Sequence, residues 1–96
     1  MAIATTDPRT GEVLRTFDEL TDDQIEDRLA RAAAAARTYR LTGHDDRAGW
    51  LRAAADILDE RTDELAALMT LEVGKTKKAS VAEIGKCSAV LRYYAD

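Results

Sequence analysis

Alanine is the feature of this sequence that most restricts its fold. It occurs eighteen times in 96 residues, with five copies in a row from Ala32 to Ala36. Alanine has the highest intrinsic helix propensity, whereas strands favour β-branched and aromatic side chains. Aromatic residues make up only 5% of the chain and proline occurs once. The composition therefore predicts a mostly helical protein and argues against a β-sandwich.

Length and charge narrow the class further. Ninety-six residues are enough for one small domain whose core is thin. Hydrophobic residues at 46% and charged residues at 33% are typical of a globular chain rather than a disordered one. A net charge of −4 gives no electrostatic attraction to nucleic acids or anionic membranes. We therefore expect neither as a partner.

The chain has a single cysteine, Cys87, and a single histidine, His44. Because there is only one cysteine, the chain cannot form an internal disulfide. One cysteine and one histidine are also too few for a zinc site rich in sulfur and nitrogen. Residues 1–8 lack the basic and apolar regions of a secretory signal, and no apolar run approaches the ~18 residues that span a bilayer. The sequence predicts a cytoplasmic protein.

Residues 1–20 are predicted to form an N-terminal β-hairpin. Pro8 presets the backbone at the second position of a turn, and Gly11 supplies the positive φ that closes it. Polar and apolar residues then alternate from Val13 to Phe17, which favours a short, half-exposed strand.

Residues 21–96 are predicted to form about four helices, the first of which has complete start signals. Thr21 and Gln24 fit a capping box, and Leu20 with Ile25 fits a hydrophobic staple. Gly43 is predicted to end this helix as its C′ residue. Its expected apolar face consists of Ile25, Leu29, Ala32, Ala33, Ala36 and Tyr39.

The second helix is predicted to start near Asp45–Asp46, and the third to run from Thr62, as N-cap, to Val73. Gly74 is expected to end the third helix. The side chains expected to be buried are Trp50, Leu51, Ala54, Ile57 and Leu58 in the second helix and Leu65, Leu68, Met69 and Leu71 in the third.

The last helix has two possible starts, at Thr76 or at a capping box from Ser80 to Glu83. Its expected apolar face is Ile84, Cys87, Leu91 and Tyr94. This face continues to the last residues without a stop signal. We therefore expect the chain to be truncated at Asp96.

Cys87 and His44 are the first candidates for chemistry. A reactive thiolate needs a nearby base, cation or helix N-terminus, and the adjacent Lys86 points about 100° away around the helix. A buried, inert cysteine is therefore expected. His44 follows a glycine in a predicted turn, where a solvated or capping role is expected.

Gly74, Lys75 and Thr76 resemble the end of a phosphate-binding loop, but Met69 stands where that motif requires glycine. The basic cluster of Lys75, Lys77 and Lys78 is expected to be a solvated helix end. Acidic residues at predicted helix starts compensate the helix dipole: Asp22–Asp23, Asp45–Asp46 and Asp63–Glu64.

Tyr93 and Tyr94 could line a pocket, but aromatic residues at a helix end more often pack against a neighbouring layer, which is the role expected here. No combination of residues supplies a nucleophile, a base and an oxyanion donor together. The sequence thus predicts no catalytic, cofactor-binding or metal-binding residue.

Three segments together resemble the aldehyde dehydrogenase family. Asp7–Leu14 resembles the N-terminal hairpin of that family, Leu71–Lys75 its leucine-glutamate-x-glycine-lysine signature, and Arg92–Asp96 its helix-end motif. Their order and spacing also fit, and the resemblance covers all 96 residues. Asp7 stands where asparagine is usual, and Val73 where methionine is common. The alanine-rich first helix and the segment 77–80 look most like bacterial succinate-semialdehyde dehydrogenases.

This resemblance implies a parent enzyme that oxidises an aldehyde, succinate semialdehyde or a similar one, to a carboxylic acid with NAD⁺ or NADP⁺. The family uses a cysteine nucleophile, a glutamate base and an asparagine in the oxyanion hole, all beyond the part represented here. Cys87 does not match that nucleophile, so no site role transfers to this chain. The resemblance also implies a homo-oligomeric parent.

The implied fold is the N-terminal portion of the α/β aldehyde dehydrogenase fold, with a hairpin at 1–20 and a helical layer of the nucleotide-binding domain at 21–96. The partner is then the remainder of the parent polypeptide, and exposed apolar surface is expected without it. The first hypothesis is therefore a structural fragment that is inactive by itself. The alternative is a self-sufficient helical module that binds a partner through its alanine-rich face.

Overall fold

The computed structural model describes residues 3–96. Met1 and Ala2, part of the predicted hairpin segment, lie outside the described residues. The elements in chain order are β1 (Ile3–Thr6), β2 (Val13–Phe17), α1 (Asp22–Tyr39), α2 (His44–Glu60), α3 (Thr62–Val73) and α4 (Lys77–Ala95). The predicted fold class, mostly helical with an N-terminal hairpin, is confirmed.

The strands β1 and β2 pair antiparallel, with Ile3 opposite Phe17 and a register irregularity between Thr5 and Thr6. The connecting turn is closed by the Gly11 amide, which donates to the carbonyl of Asp7 at 2.8 Å. Gly11 has a φ of +78°. Glycine reaches this region without a steric penalty, which explains why the turn can close here.

The capping box of α1 forms as predicted. The Gln24 amide donates to the Thr21 hydroxyl at 3.2 Å, and the Thr21 amide donates to the Gln24 side chain at 2.9 Å. The predicted role of Gly43 is wrong: its φ is −72° and it is the N-cap of α2. The last turn of α1 is closed instead by the amides of Leu41 and Thr42, which donate to carbonyls three residues back.

The bounds of α3 match the prediction, but its N-cap residue does not. Arg61 is the N-cap, and the Thr62 hydroxyl donates backwards to the carbonyls of Leu58 and Asp59 at 3.1 and 2.8 Å. The predicted cap is wrong because α3 follows α2 directly, so carbonyls at the end of α2 take this hydroxyl. Gly74 ends α3 with a φ of +74°.

Of the two possible starts of α4, the structure has the first. The Thr76 hydroxyl accepts from the Ala79 amide at 3.2 Å. Ser80, the alternative cap, is fully buried inside the helix, where its hydroxyl lies 3.2 Å from that of Thr70. The Ser80 side chain thus joins α4 to α3.

The packing centre of the molecule is α4, which lies mainly against α2 and secondly against α3. Ser80, Ile84 and Ser88 recur every four residues on one face of α4 and are buried. They are matched by the buried Ala55 of α2 and Ala66 of α3. We call these five residues the seam; four of them are small, which favours close approach of helix backbones.

The predicted apolar faces are buried only in part, and several predictions are wrong. Trp50, Ile57 and Leu68 are each about half exposed, Tyr94 is 73% exposed, and Cys87 is also exposed. The reason is geometric: a single layer of helices covers one side of each helix and leaves the other side open.

The shape of the molecule is that of a slab. Its extents are 48 × 38 × 15 Å and its radius of gyration is 17.6 Å, whereas a compact domain of this length has a radius near 13 Å. The shortest extent, 15 Å, is less than a third of the longest, 48 Å. Within residues 3–96, no helix is long and apolar enough to cross a membrane.

Candidate functional surface

Every residue of α1 is exposed. None of its described residues is buried, and Ile25, Leu29 and Tyr39 are 42%, 58% and 51% exposed. The alanines between these side chains carry only a methyl group, so that the backbone of another element can approach α1 closely. The apolar face predicted from the sequence exists. Its last residue, Tyr39, stacks on Trp50 at 5.8 Å and lies under the Arg47 guanidinium, whereas Ile25 and Leu29 remain exposed.

A second uncovered apolar region is an open groove of about 320 Å³ along α3. Glu72 is the charged residue in its wall. The groove is lined by Leu58, Leu65, Leu68, Met69, Glu72, Val73 and Ile84. We refer to this groove and the apolar face of α1 together as the open surface.

The total accessible area shows how much surface is uncovered. The chain exposes 7775 Å², whereas a compact monomer of 10.5 kDa exposes about 5,400 Å². The excess, about 2,300 Å², is of the order that permanent interfaces bury. Large exposed apolar patches mark interaction sites. The chain as a whole therefore leaves uncovered an area of the size of a permanent contact, and the open surface is an apolar part of that area.

A charged cluster holds α4 to α2 beside the seam. The Arg92 guanidinium donates to Asp56 at 2.8 Å and lies 2.7 Å from Asp59. Hydrogen bonds from Ser88 and then from Arg92 lower the pKa of the Asp59 carboxyl, and the two carboxylates, Asp56 first, raise the pKa of Arg92. Sequence reasoning missed this cluster because Arg92 and Asp56 are 36 positions apart.

Cys87 and His44 lie in different places. Cys87 is exposed on α4 in a shallow groove with Glu83, Lys86 and Leu91, so the prediction of a buried thiol is wrong. His44 is the first residue of α2 and lines a separate groove near the end of α4. The two side chains therefore do not form a nucleophile–base pair of the kind that activates a thiol.

Gly74, Lys75 and Thr76 have structural positions between α3 and α4. Gly74 ends α3, Lys75 pairs with Glu83 at 3.5 Å, and Thr76 caps α4. Lys77 and Lys78 form the first turn of α4. The resemblance of this segment to a phosphate-binding loop is thus a coincidence of residue types.

The remaining candidates also have local explanations. The three acidic pairs lie in the first turns of α1, α2 and α3, as predicted. Tyr93 and Tyr94 contact each other edge to face at 5.1 Å, but both are about three-quarters exposed, so the predicted packing against a neighbouring layer is absent among residues 3–96. That described range also contains no group of three acidic, histidine or cysteine side chains placed for a metal ion.

The whole chain, residues 1–96, matches the sequence model of the Aldehyde dehydrogenase family. The chain belongs to the aldehyde dehydrogenase family. The resemblance identified from the hairpin, the Leu71–Lys75 signature and the helix-end motif is therefore confirmed.

Individual members of the family show which aldehyde dehydrogenases this chain is similar to in sequence. It is 47% identical over 96 residues to succinate-semialdehyde dehydrogenase [NADP(+)] 1 of Mycobacterium tuberculosis and 45% identical to a probable succinate-semialdehyde dehydrogenase [NADP(+)] of Synechocystis. Each match covers all of this chain and 21% of the relative. The chain thus spans about a fifth of the length of these relatives.

Solved structures give the same result. The succinic semialdehyde dehydrogenase of Streptococcus pyogenes, in complex with NADP⁺, superposes with a TM-score of 0.91 at 36% identity, covering 99% of this chain and 21% of that one. Betaine aldehyde dehydrogenase of Staphylococcus aureus, in complex with NAD⁺, superposes with a TM-score of 0.89 at 29% identity, covering 99% and 20%. The slab is therefore an arrangement found inside larger aldehyde dehydrogenases.

Proposed function

We propose that this chain is the N-terminal segment of a longer NADP⁺- or NAD⁺-dependent dehydrogenase that oxidises succinate semialdehyde, or a similar aldehyde, to the carboxylic acid. In that enzyme, residues 1–20 form a hairpin and residues 21–96 a helical layer on the nucleotide-binding domain. The proposal is supported by 47% identity over the whole chain to a succinate-semialdehyde dehydrogenase. The enzyme is a cytoplasmic homo-oligomer.

The role of the segment is structural, and the observation that carries this proposal is the open surface. About 2,300 Å² of excess surface and a thickness of 15 Å are what a layer exposes when the layer beneath it is absent. We assign no catalytic, cofactor-binding or metal-binding role to its residues. The remainder of the polypeptide holds the nicotinamide cofactor and the reactive cysteine, and the segment covers and supports that part.

The first test is a chimera. In the Streptococcus pyogenes enzyme, the segment that superposes on this chain is replaced by residues 1–96, and succinate-semialdehyde-dependent formation of NADPH is measured. We expect a soluble enzyme that retains activity. A matched chimera carrying Leu29→Asp is expected to lose soluble enzyme, whereas Arg31→Asp on a polar position of α1 is expected to retain it. A soluble chimera that is indifferent to Leu29→Asp would contradict the structural role.

The second test uses the 96-residue chain alone. We expect no reduction of NAD⁺ or NADP⁺ with any aldehyde, because we assign no residue of this chain a role in the chemistry. Measurable turnover by the pure chain would refute this. A compact, strictly monomeric chain with a closed interior would instead favour the alternative, a self-sufficient interaction module.

A further inference from the structure

From residue 3 onward, the hairpin has no buried apolar side chain to hold it in place. Among its described residues, Ile3, Val13 and Phe17 are 51%, 55% and 44% exposed, whereas the two buried residues, Thr5 and Asp7, are polar. An isolated two-stranded hairpin is at best marginally stable in water. Specific contacts must therefore fix it to the helical layer.

The contacts that the structure provides lie at the end of α3. The Thr5 hydroxyl donates to the Glu72 carboxylate at 2.9 Å across 67 positions of sequence. Pro8 lies over Gly74 so closely that a methyl group on Gly74 would sit 3.2 Å from Cγ of the proline ring. Gly74 also has a φ of +74°, a backbone conformation that residues other than glycine rarely adopt.

Asp7 stabilises the turn that contains Pro8. Its carboxylate accepts from the Arg9 amide at 2.8 Å and pairs with the Arg9 guanidinium at 3.1 Å. Hydrogen bonding from Arg9 lowers the pKa of the Asp7 carboxyl. The proline ring is thus fixed relative to the strand that bears Thr5.

We infer that the Thr5–Glu72 hydrogen bond and the Pro8–Gly74 contact form a two-point clasp that positions the hairpin on the turn between α3 and α4. Glu72 and Gly74 are the positioning residues. The clasp is separate from the seam, so the hairpin can detach while α2 and α4 remain packed. The inference concerns contacts within the chain and does not depend on the proposed function.

The test is hydrogen exchange of the 96-residue chain, comparing amides of residues 3–7 and 13–17 with those of residues 84–88 in the seam. Removing a hydrogen bond to a charged group is expected to raise hairpin exchange about tenfold in Thr5→Val and in Glu72→Ala. Seam exchange is expected to stay constant. Glu72→Gln, which keeps an acceptor oxygen, is expected to remain near the parent chain.

Two further variants sharpen the test. Thr6→Val changes an exposed threonine of the same strand and is expected to leave exchange unchanged. The double variant Thr5→Val with Glu72→Ala is expected to exchange no faster than either single variant, because both remove one contact. The clasp is disproved if the hairpin amides of the parent chain are unprotected, if Glu72→Ala has no effect or loosens the seam equally, or if the two single effects add.

Discussion

The helices α1 and α4 are nearly equal in length, at 18 and 19 residues, and both begin with a threonine cap, yet only α4 contains buried residues. None of the described residues of α1 is buried, whereas α4 buries Ser80, Ile84 and Ser88. The comparison shows that the signals that form a helix are independent of those that bury it. Capping and alanine suffice for α1.

The difference arises from neighbours rather than from composition. Ala55 and Ala66 are buried because α4 lies against α2 and α3. The run from Ala32 to Ala36 contains the same residue type and is exposed throughout. A stripe of small residues is therefore a surface prepared for close contact, and α1 has that surface without an occupant among residues 3–96.

The largest effect is expected in the seam. Ile84→Ala removes a side chain that is only 6% exposed and should lower the free energy of unfolding by about 2–4 kcal/mol. Ile57→Ala, at a position 50% exposed in α2, should cost less than about 1 kcal/mol. Urea unfolding followed by circular dichroism measures both. Equal losses would mean that the seam is not the stabilising part of the molecule.

The next effect concerns two glycines of the helical layer. Gly74→Ala should destabilise by about 1–2 kcal/mol, because an L-residue is strained at positive φ and its methyl would approach Pro8. Gly49→Ala places a methyl in open space on α2 and should stabilise by up to about 1 kcal/mol. Thermal midpoints should therefore move in opposite directions. A shift of the same sign for both variants would contradict the closed contact at Gly74.

A smaller effect is expected from the charged cluster between α2 and α4. Because the pKa of Asp59 is lowered in the folded chain, its contribution is fully present above the unfolded pKa of about 3.9 and is lost as pH falls through the folded value. The urea midpoint should fall between about pH 7 and about pH 3, and Asp59→Asn should reduce that fall. Arg92→Gln should reduce it less, because the hydrogen bond from Ser88 is the first cause of the lowered pKa of Asp59 and remains. An unchanged pH dependence of the urea midpoint in both variants would show that the cluster does not contribute to stability.

The smallest effect is expected on the apolar face of α1. Leu29 is 58% exposed on α1, so Leu29→Ala should change the unfolding free energy of the 96-residue chain by less than about 0.5 kcal/mol. The same substitution in the chimera with the Streptococcus pyogenes enzyme should be clearly destabilising if the side chain is covered there, as we propose. A large effect in the isolated chain would show that α1 is already packed.

Much of the local structure was predictable from the sequence because short-range contacts determine it. Thr21 with Gln24, the closing glycine Gly11 and the helix end at Gly74 depend only on residues a few positions away. The predictions for Gly43 and Thr62 were wrong for a related reason. At both positions one helix follows another after only a few residues. A residue there can cap the end of the first helix or the start of the second, and the packing of the two helices decides which.

The sequence predicted that apolar surface would be uncovered, but not which individual side chains are buried or exposed. The apolar face of α1 and the expectation of uncovered surface follow from helical periodicity and from the family resemblance. The exposure of Cys87 and the burial of Ser80 and Ser88 do not. Burial depends on which side of α4 meets α2 and α3, and periodicity alone ranks cysteine above serine for that side.

The sequence alone determined that four helices and a hairpin form, where most of them begin and end, and to which family the chain belongs, because these follow from backbone preferences and short motifs. The tertiary structure decided which faces meet. Ser80, Ile84 and Ser88 join α4 to its neighbours, Thr5 and Pro8 meet Glu72 and Gly74, and α1 stays uncovered. Such contacts link residues far apart in the chain, and their energies depend on the three-dimensional arrangement of whole elements rather than on any local pattern.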